Sequence, residues 1–182
     1  MVENNNYQLY TDILIFSICG DIKKARDSKI LAGSVILTLS AIDAMAFLAM
    51  PLSETEVTKK SFIDWVNKYM KTDINQQYKY EGIDLYGARC GIVHRYGTKS
   101  GLSEKGQCKI LAYHDGTEHM YNSKIKDDFV LISFTRFIDD FFLGVRDFIK
   151  DIITLPDLKQ RVDHRITSLF RIIPANGERK VL

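Results

Sequence analysis

Between Ile30 and Met50 the chain runs for 21 residues with a single charge, Asp43. At about 1.5 Å per residue, a helix of that length can cross a bilayer. Four features argue against a span. A carboxylate near mid-membrane costs roughly 2.5–3.5 kcal/mol on insertion scales, and Ser34, Thr38 and Ser40 lower the hydropathy further. No basic cluster flanks the segment, and the other apolar patterns are amphipathic. The expectation is therefore the most buried helix of a soluble bundle, with no membrane as partner.

The rest of the sequence is consistent with helices around that core. Leu9, Ile13, Phe16 and Cys19 share a face over Tyr7–Arg26, and Asp27-Ser28 breaks the run, with Ser28 as the expected cap of the apolar helix. Pro51 closes that helix, because the residue before a proline is driven out of the helical region. Phe62, Trp65, Val66 and Tyr69 stripe a helix from about Glu56 to Met70. Another is expected over Glu81–Tyr96. A long one follows over Asp128–Ile153, with Val130, Phe134, Phe137, Ile138, Phe141, Val145, Phe148, Ile149 and Ile152 inward. Arg136, Asp139, Asp140, Asp147 and Lys150 fall opposite. After Pro156 comes a more basic last helix.

With 182 residues the chain suffices for one domain, 1–182. Its 46% apolar content builds a core and excludes a disordered chain. Three prolines and 11 glycines are too few for a many-stranded sandwich. Lys109–His114, Asp115-Gly116 and Thr117–Asn122 suggest a hairpin, since Asp-Gly favours a type I′ turn. The expected fold class is all-α: an antiparallel helical bundle of about five to six helices, with a small β-hairpin insertion near 108–123 and a mobile tail near 174–182.

A net charge of +2 excludes a nucleic-acid binder that works by bulk charge. Residues 84–109 nevertheless hold five basic side chains against Asp84 and Glu104, a local +3. Three cysteines without C-x-x-C spacing give neither a disulfide framework nor a thiolate zinc site. The opening Met1-Val2-Glu3-Asn4-Asn5-Asn6 lacks the basic region of a signal peptide, so the expected location is cytoplasmic. Phosphate loops, dinucleotide fingerprints and metalloprotease or hydrolase signatures are missing from the sequence, and no cofactor is expected. His114 and His119 bracket Asp115 and Glu118, donors of the kind that hold divalent metals. An exposed polar turn accounts for them as well, and no metal site is assigned.

Chemistry concentrates in Arg89-Cys90-Gly91-Ile92-Val93-His94. Five helical residues amount to about 500° of rotation, so the arginine and histidine side chains point some 140° apart. They are therefore expected to flank a groove rather than to pair. Arginine offers a fixed fork for phosphate oxygens, and an imidazole exchanges protons near neutrality. Arg95 adds a cation and Tyr96 a ring able to stack. Gly87 and Gly91, four apart inside a helix, imply close approach of another backbone. Spacing alone leaves a second arrangement open, in which Arg89 pairs with a core-edge acid such as Asp43 and His94 caps the helix.

This segment, late in a helical chain behind an apolar helix carrying Asp43, resembles the R-x4–6-H motif of the HEPN superfamily. The resemblance covers roughly residues 7–153. It implies a homodimer with the two motif helices facing each other. It also implies a metal-independent endoribonuclease, often found in toxin–antitoxin or defence systems, in which an antitoxin is a partner. His94 would serve as general base or acid, and Arg89 would stabilise the scissile phosphate, with Asp43 orienting one of them. Active members often place a polar residue directly after the arginine, where this chain has Cys90. That departure leaves an alternative, a non-catalytic module that dimerises or binds a nucleotide or partner.

Overall fold

The computed structural model describes residues 4–74, 78–121 and 129–169. The expected tail near 174–182, the end of the expected hairpin at 122–123, and Asp128 lie outside those residues.

The described residues are mostly helical. The first helix expected from sequence is one run: α1 (Asn4–Tyr10), a wider π-helical stretch (Thr11–Cys19) and α2 (Gly20–Asp27). Lys29 then takes a left-handed φ of 58° and turns the chain. Helix α3 (Leu31–Ala49) follows. Its cap is not Ser28: Ile30 stands at the N-cap position with no side-chain bond. Within α3 the hydroxyls turn inward on the backbone, Ser34 donating to the Leu31 carbonyl and Thr38 to that of Ser34, both at 2.7 Å. This lets polar side chains sit fully buried without orphaned donors. The helix ends where Met50, ahead of Pro51, is extended at ψ 155°.

Helix α4 (Lys59–Trp65) begins later than Glu56, where Thr58 and Ser61 form a reciprocal capping box. It continues as a π-helical turn, Val66–Met70. Helix α5 (Gly82–Arg95) opens on a second such box, Glu81 with Asp84. A short α6 (Gly101–Glu104) follows. Helix α7 (Phe134–Thr154) and helix α8 (Pro156–Arg165), which has Pro156 at its start, come next, and a single 3-10 turn, Ile166–Ser168, follows.

The expected hairpin is corrected. Strands β1 (Ile110–His114) and β2 (Met120–Tyr121) do not pair with each other. Between them lies β3 (Phe129–Ser133), parallel to β1 with Ile110 opposite Phe129, and antiparallel to β2 with Met120 opposite Leu131. The helix expected from Asp128 therefore starts at Phe134 instead. Val130-Leu131-Ile132 is a short apolar run that periodicity cannot assign between strand and helix. Ser133 decides it by capping α7, its hydroxyl accepting from the Arg136 N–H at 3.2 Å. Nor does Gly116 adopt the positive φ of a type I′ turn; among the described residues only Gly106, Lys29 and Tyr96 have positive φ.

Helix α3 lies in the middle, packed by α2, α4, α5, α7 and α8. It is long and apolar enough to cross a membrane by length and composition, and half of its apolar window is buried within the fold. Trp65 from α4 meets Phe141 and Phe148 of α7 in a core that also holds Phe62 and Phe137. The C-terminal helix is fastened to the front of the chain. Tyr10 donates to Asp163, and Arg165, buried, donates to the carbonyls of Met50 and Pro51 at 2.6 Å and of Glu54 at 3.1 Å.

Candidate functional site

Helices α3 and α5 bring together three of the residues singled out in the sequence. The Nε–H of Arg89 donates to Asp43 Oδ2 at 2.6 Å, and Nη1 of Arg89 lies 3.1 Å from His94 Nε2. Arg89 and His94 therefore do touch, contrary to the expectation from helical rotation alone. The angular argument compares Cβ directions, whereas an arginine side chain is long enough to run along the helix surface to the next turn. The result is a line of acid, guanidinium and imidazole at the surface end of α5. Asp43 and Arg89 retain 21% and 26% of their side-chain exposure, so solvent and a ligand both have access.

Burial desolvates the Asp43 carboxyl and raises its pKa, with the Arg89 hydrogen bond opposing. Burial also works against the Arg89 charge, but Asp43 outweighs it, so the guanidinium is held more firmly cationic. In this geometry one edge of Arg89 is committed to Asp43 and another to His94. What remains for a phosphate is the rest of the fork, fixed in direction by its two protein partners.

Cys90 interacts with Tyr86 and with Arg89. Arg95 and Tyr96 are both exposed, Tyr96 at 71%. Tyr96 caps α5 in the left-handed region at φ 53°, with its N–H donating to the Ile92 carbonyl at 2.9 Å. Its ring thus projects into solvent rather than packing inward. Cys19 and Cys108 are not activated nucleophiles: burial pushes the Cys19 thiol up to about 12 and raises Cys108 as well.

The two helical glycines have a local explanation. A Cβ on Gly91 would stand 2.8 Å from the Lys99 carbonyl oxygen and 2.9 Å from that of Gly97, and one on Gly87 would stand 2.4 Å from Cys108 Sγ. The close neighbour is this chain's own segment 97–108, which folds back over α5.

His114 and His119 part company. His119 is buried, not part of an exposed turn; its Nε2 lies 3.2 Å from Asp140 Oδ2, and its ring stands edge-on to Tyr80. The Tyr80 hydroxyl donates to the same Asp140 oxygen at 2.8 Å. Asp140, expected on the outer face of α7, is only 1% exposed. His114 instead accepts the Gly116 N–H on Nδ1 at 3.0 Å. Among the described residues no cluster of three or more metal-ligating side chains is present. The buried Tyr80–Asp140–His119 group was missed at the level of sequence, yet a signal existed: 137, 140, 141 and 144 follow helical spacing, which puts Asp140 within the apolar stripe.

Comparison with protein-family models, with curated proteins and with solved structures gives no match to this chain.

Proposed function

We infer that this chain is a HEPN-like, metal-independent endoribonuclease that acts as a homodimer in the cytoplasm, in a toxin–antitoxin or other defence setting. The observation that carries the reading is the Asp43–Arg89–His94 line, an acid fixing an arginine that in turn touches an accessible imidazole. The chemistry is a transesterification. The ribose 2′-oxygen bonds to phosphorus while the bond to the 5′-oxygen breaks. One imidazole takes the 2′-hydroxyl proton, and an imidazole from the second protomer protonates the leaving oxygen. Arg89 offsets the charge that grows on the phosphoryl oxygens. The local +3 of residues 84–109, doubled in a dimer, draws the polyanion to the cleft.

The test is cleavage of RNA in the presence of EDTA. Wild type should cleave, and His94→Ala and Arg89→Ala should each lower the rate by about a hundredfold or more. Asp43→Asn should lower it less, because it loosens the arginine without removing it. Activity that survives both alanine variants, or that vanishes with chelator alone, overturns the reading.

A second reading draws on Cys90 and on the commitment of Arg89 to Asp43: a non-catalytic dimer that binds a nucleotide or a protein partner, an antitoxin included. It predicts dimerisation and nucleotide binding without turnover. A single-chain mass in gel filtration contradicts both readings.

A further inference from the structure

Among the residues whose side chains are described, Tyr96 is the most exposed aromatic, at 71%, ahead of Phe16 at 55% and Tyr7 at 42%. Other tyrosines of the chain have structural partners. Tyr10, Tyr69 and Tyr80 are buried and donate to Asp163, Asp151 and Asp140, and Tyr86 lies edge-on to Phe62. The Tyr96 side chain has no hydrogen bond, ring contact or ion contact among the described residues.

The backbone at Tyr96 makes this exposure harder to account for. Tyr96 ends α5 at φ 53° and ψ 30°, in the left-handed region. A Cβ crowds the neighbouring carbonyl there, so this helix-ending position ordinarily goes to glycine. The chain has a glycine one residue later, at Gly97. Hydrogen bonds on either side hold the geometry in place, Tyr96 N–H to the Ile92 carbonyl at 2.9 Å and Gly97 N–H to that of Gly91 at 3.2 Å. A bulky ring is thus kept in a strained conformation where it buries nothing, and strain of that kind collects at functional sites.

The position of the ring says what it can meet. Two residues span at most about 7 Å of chain, so Tyr96 follows closely on His94, whose Nε2 lies 3.1 Å from Arg89 Nη1. Val93, His94, Arg95 and Tyr96 are exposed in succession. A strand with a phosphate at Arg89 can therefore reach an aromatic face within its neighbouring nucleotides. In a duplex both faces of every base are covered by the adjacent pairs. An aromatic side chain accordingly takes bases from unpaired strands, loops and ends.

We propose that Tyr96 stacks on an unpaired base beside the phosphate held at Arg89, so that the RNA taken by this site is single-stranded. The assignment rests on the ribonuclease reading for the placing of RNA at Arg89 and His94, and adds to it the form of the strand and the residue that recognises it.

The full chain is titrated with a dye-labelled RNA of mixed sequence, about ten nucleotides long and 2′-O-methylated throughout, so that binding is read without cleavage. The same strand annealed to its complement is the duplex probe, and both are used in about 0.2 M salt, which suppresses binding by charge alone. By anisotropy, the single strand should bind at least about fivefold more tightly than the duplex. Tyr96→Phe should stay within about twofold of wild type, and Tyr96→Gly should weaken single-strand binding at least about fivefold. Tyr96→Gly should also melt at or above the wild-type temperature, because the left-handed strain is relieved, whereas loss of a merely structural tyrosine would lower it. The proposal is overturned if wild type binds neither probe, if single strand and duplex bind alike, or if Tyr96→Gly binds like wild type or melts below it. Cleavage of unmodified RNA in EDTA separates this result from that of the ribonuclease reading. Binding that depends on Tyr96 without any cleavage keeps the stacking role and removes the nuclease; cleavage together with full binding by Tyr96→Gly does the reverse.

Discussion

A missing methyl group can be as informative as a side chain. Alanine in place of a helical glycine ordinarily gains about 1 kcal/mol of helix propensity. At Gly91 the new Cβ would meet two backbone carbonyl oxygens under 3 Å away, and at Gly87 the Cys108 sulfur at 2.4 Å. Overpacking of this kind costs about 1–3 kcal/mol, more where the obstacle is backbone. Gly91→Ala should therefore lower stability by about 1–2 kcal/mol net in urea denaturation. Gly87→Ala should be destabilising alone but largely relieved when Cys108→Ala is added, since the obstacle is a single side-chain atom. Additive losses in that pair would show that the close contact has been misassigned. The spacing of the two glycines was legible in the sequence as a sign of close approach. Which partner approaches was not, because a neighbour 6 to 21 residues downstream and a second protomer leave the same glycine. Arg89 and His94 were legible as residues but not as a contact, since Cβ geometry ignores the reach of the guanidinium.

At the level of elements, the long amphipathic α7 and the proline-terminated α3 could be read from periodicity and from Pro51. The sheet could not. Asp115-Gly116 is a local hairpin signal, and it is overridden by Val130-Leu131-Ile132, whose apolar surface is buried only by entering the sheet between β1 and β2. The buried side of this arrangement is polar at one point, where β2 approaches α7 through His119 and Asp140. Removing one member of a buried charge-bearing contact costs more than the contact contributes, because the remaining group is desolvated. His119→Ala should thus cost about 2–4 kcal/mol, and Tyr80→Phe about 1–2 kcal/mol, measured at constant denaturant slope. Equal stability of His119→Ala and wild type would mean that Asp140 does not depend on the histidine.

For the whole molecule, acid should be the more damaging direction of pH change. Asp151 is lowered chiefly by Lys68, with Tyr69 helping, and Asp147 chiefly by Arg146, with Lys150 helping. A carboxyl whose folded pKa lies below its unfolded value contributes stability above the unfolded value. That contribution is lost as pH falls through the folded one. Asp43, raised by burial, acts in the opposite sense and offsets part of the loss. The melting temperature should fall below about pH 4, the ordinary aspartate range, and Asp151→Asn should make that fall shallower. A variant with the wild-type acid slope would remove Asp151 from the account.

The ties between α8 and the front of the chain also bear on how the protein comes into being. During synthesis the apolar α3 emerges well before Arg165, whose fork closes the Met50–Glu54 loop. Until α7 and α8 arrive, α3 has lost two of the neighbours that cover it. Between the emergence of α3 and that of α8, the nascent chain leaves part of a membrane-like apolar surface uncovered, the kind of exposure that favours aggregation.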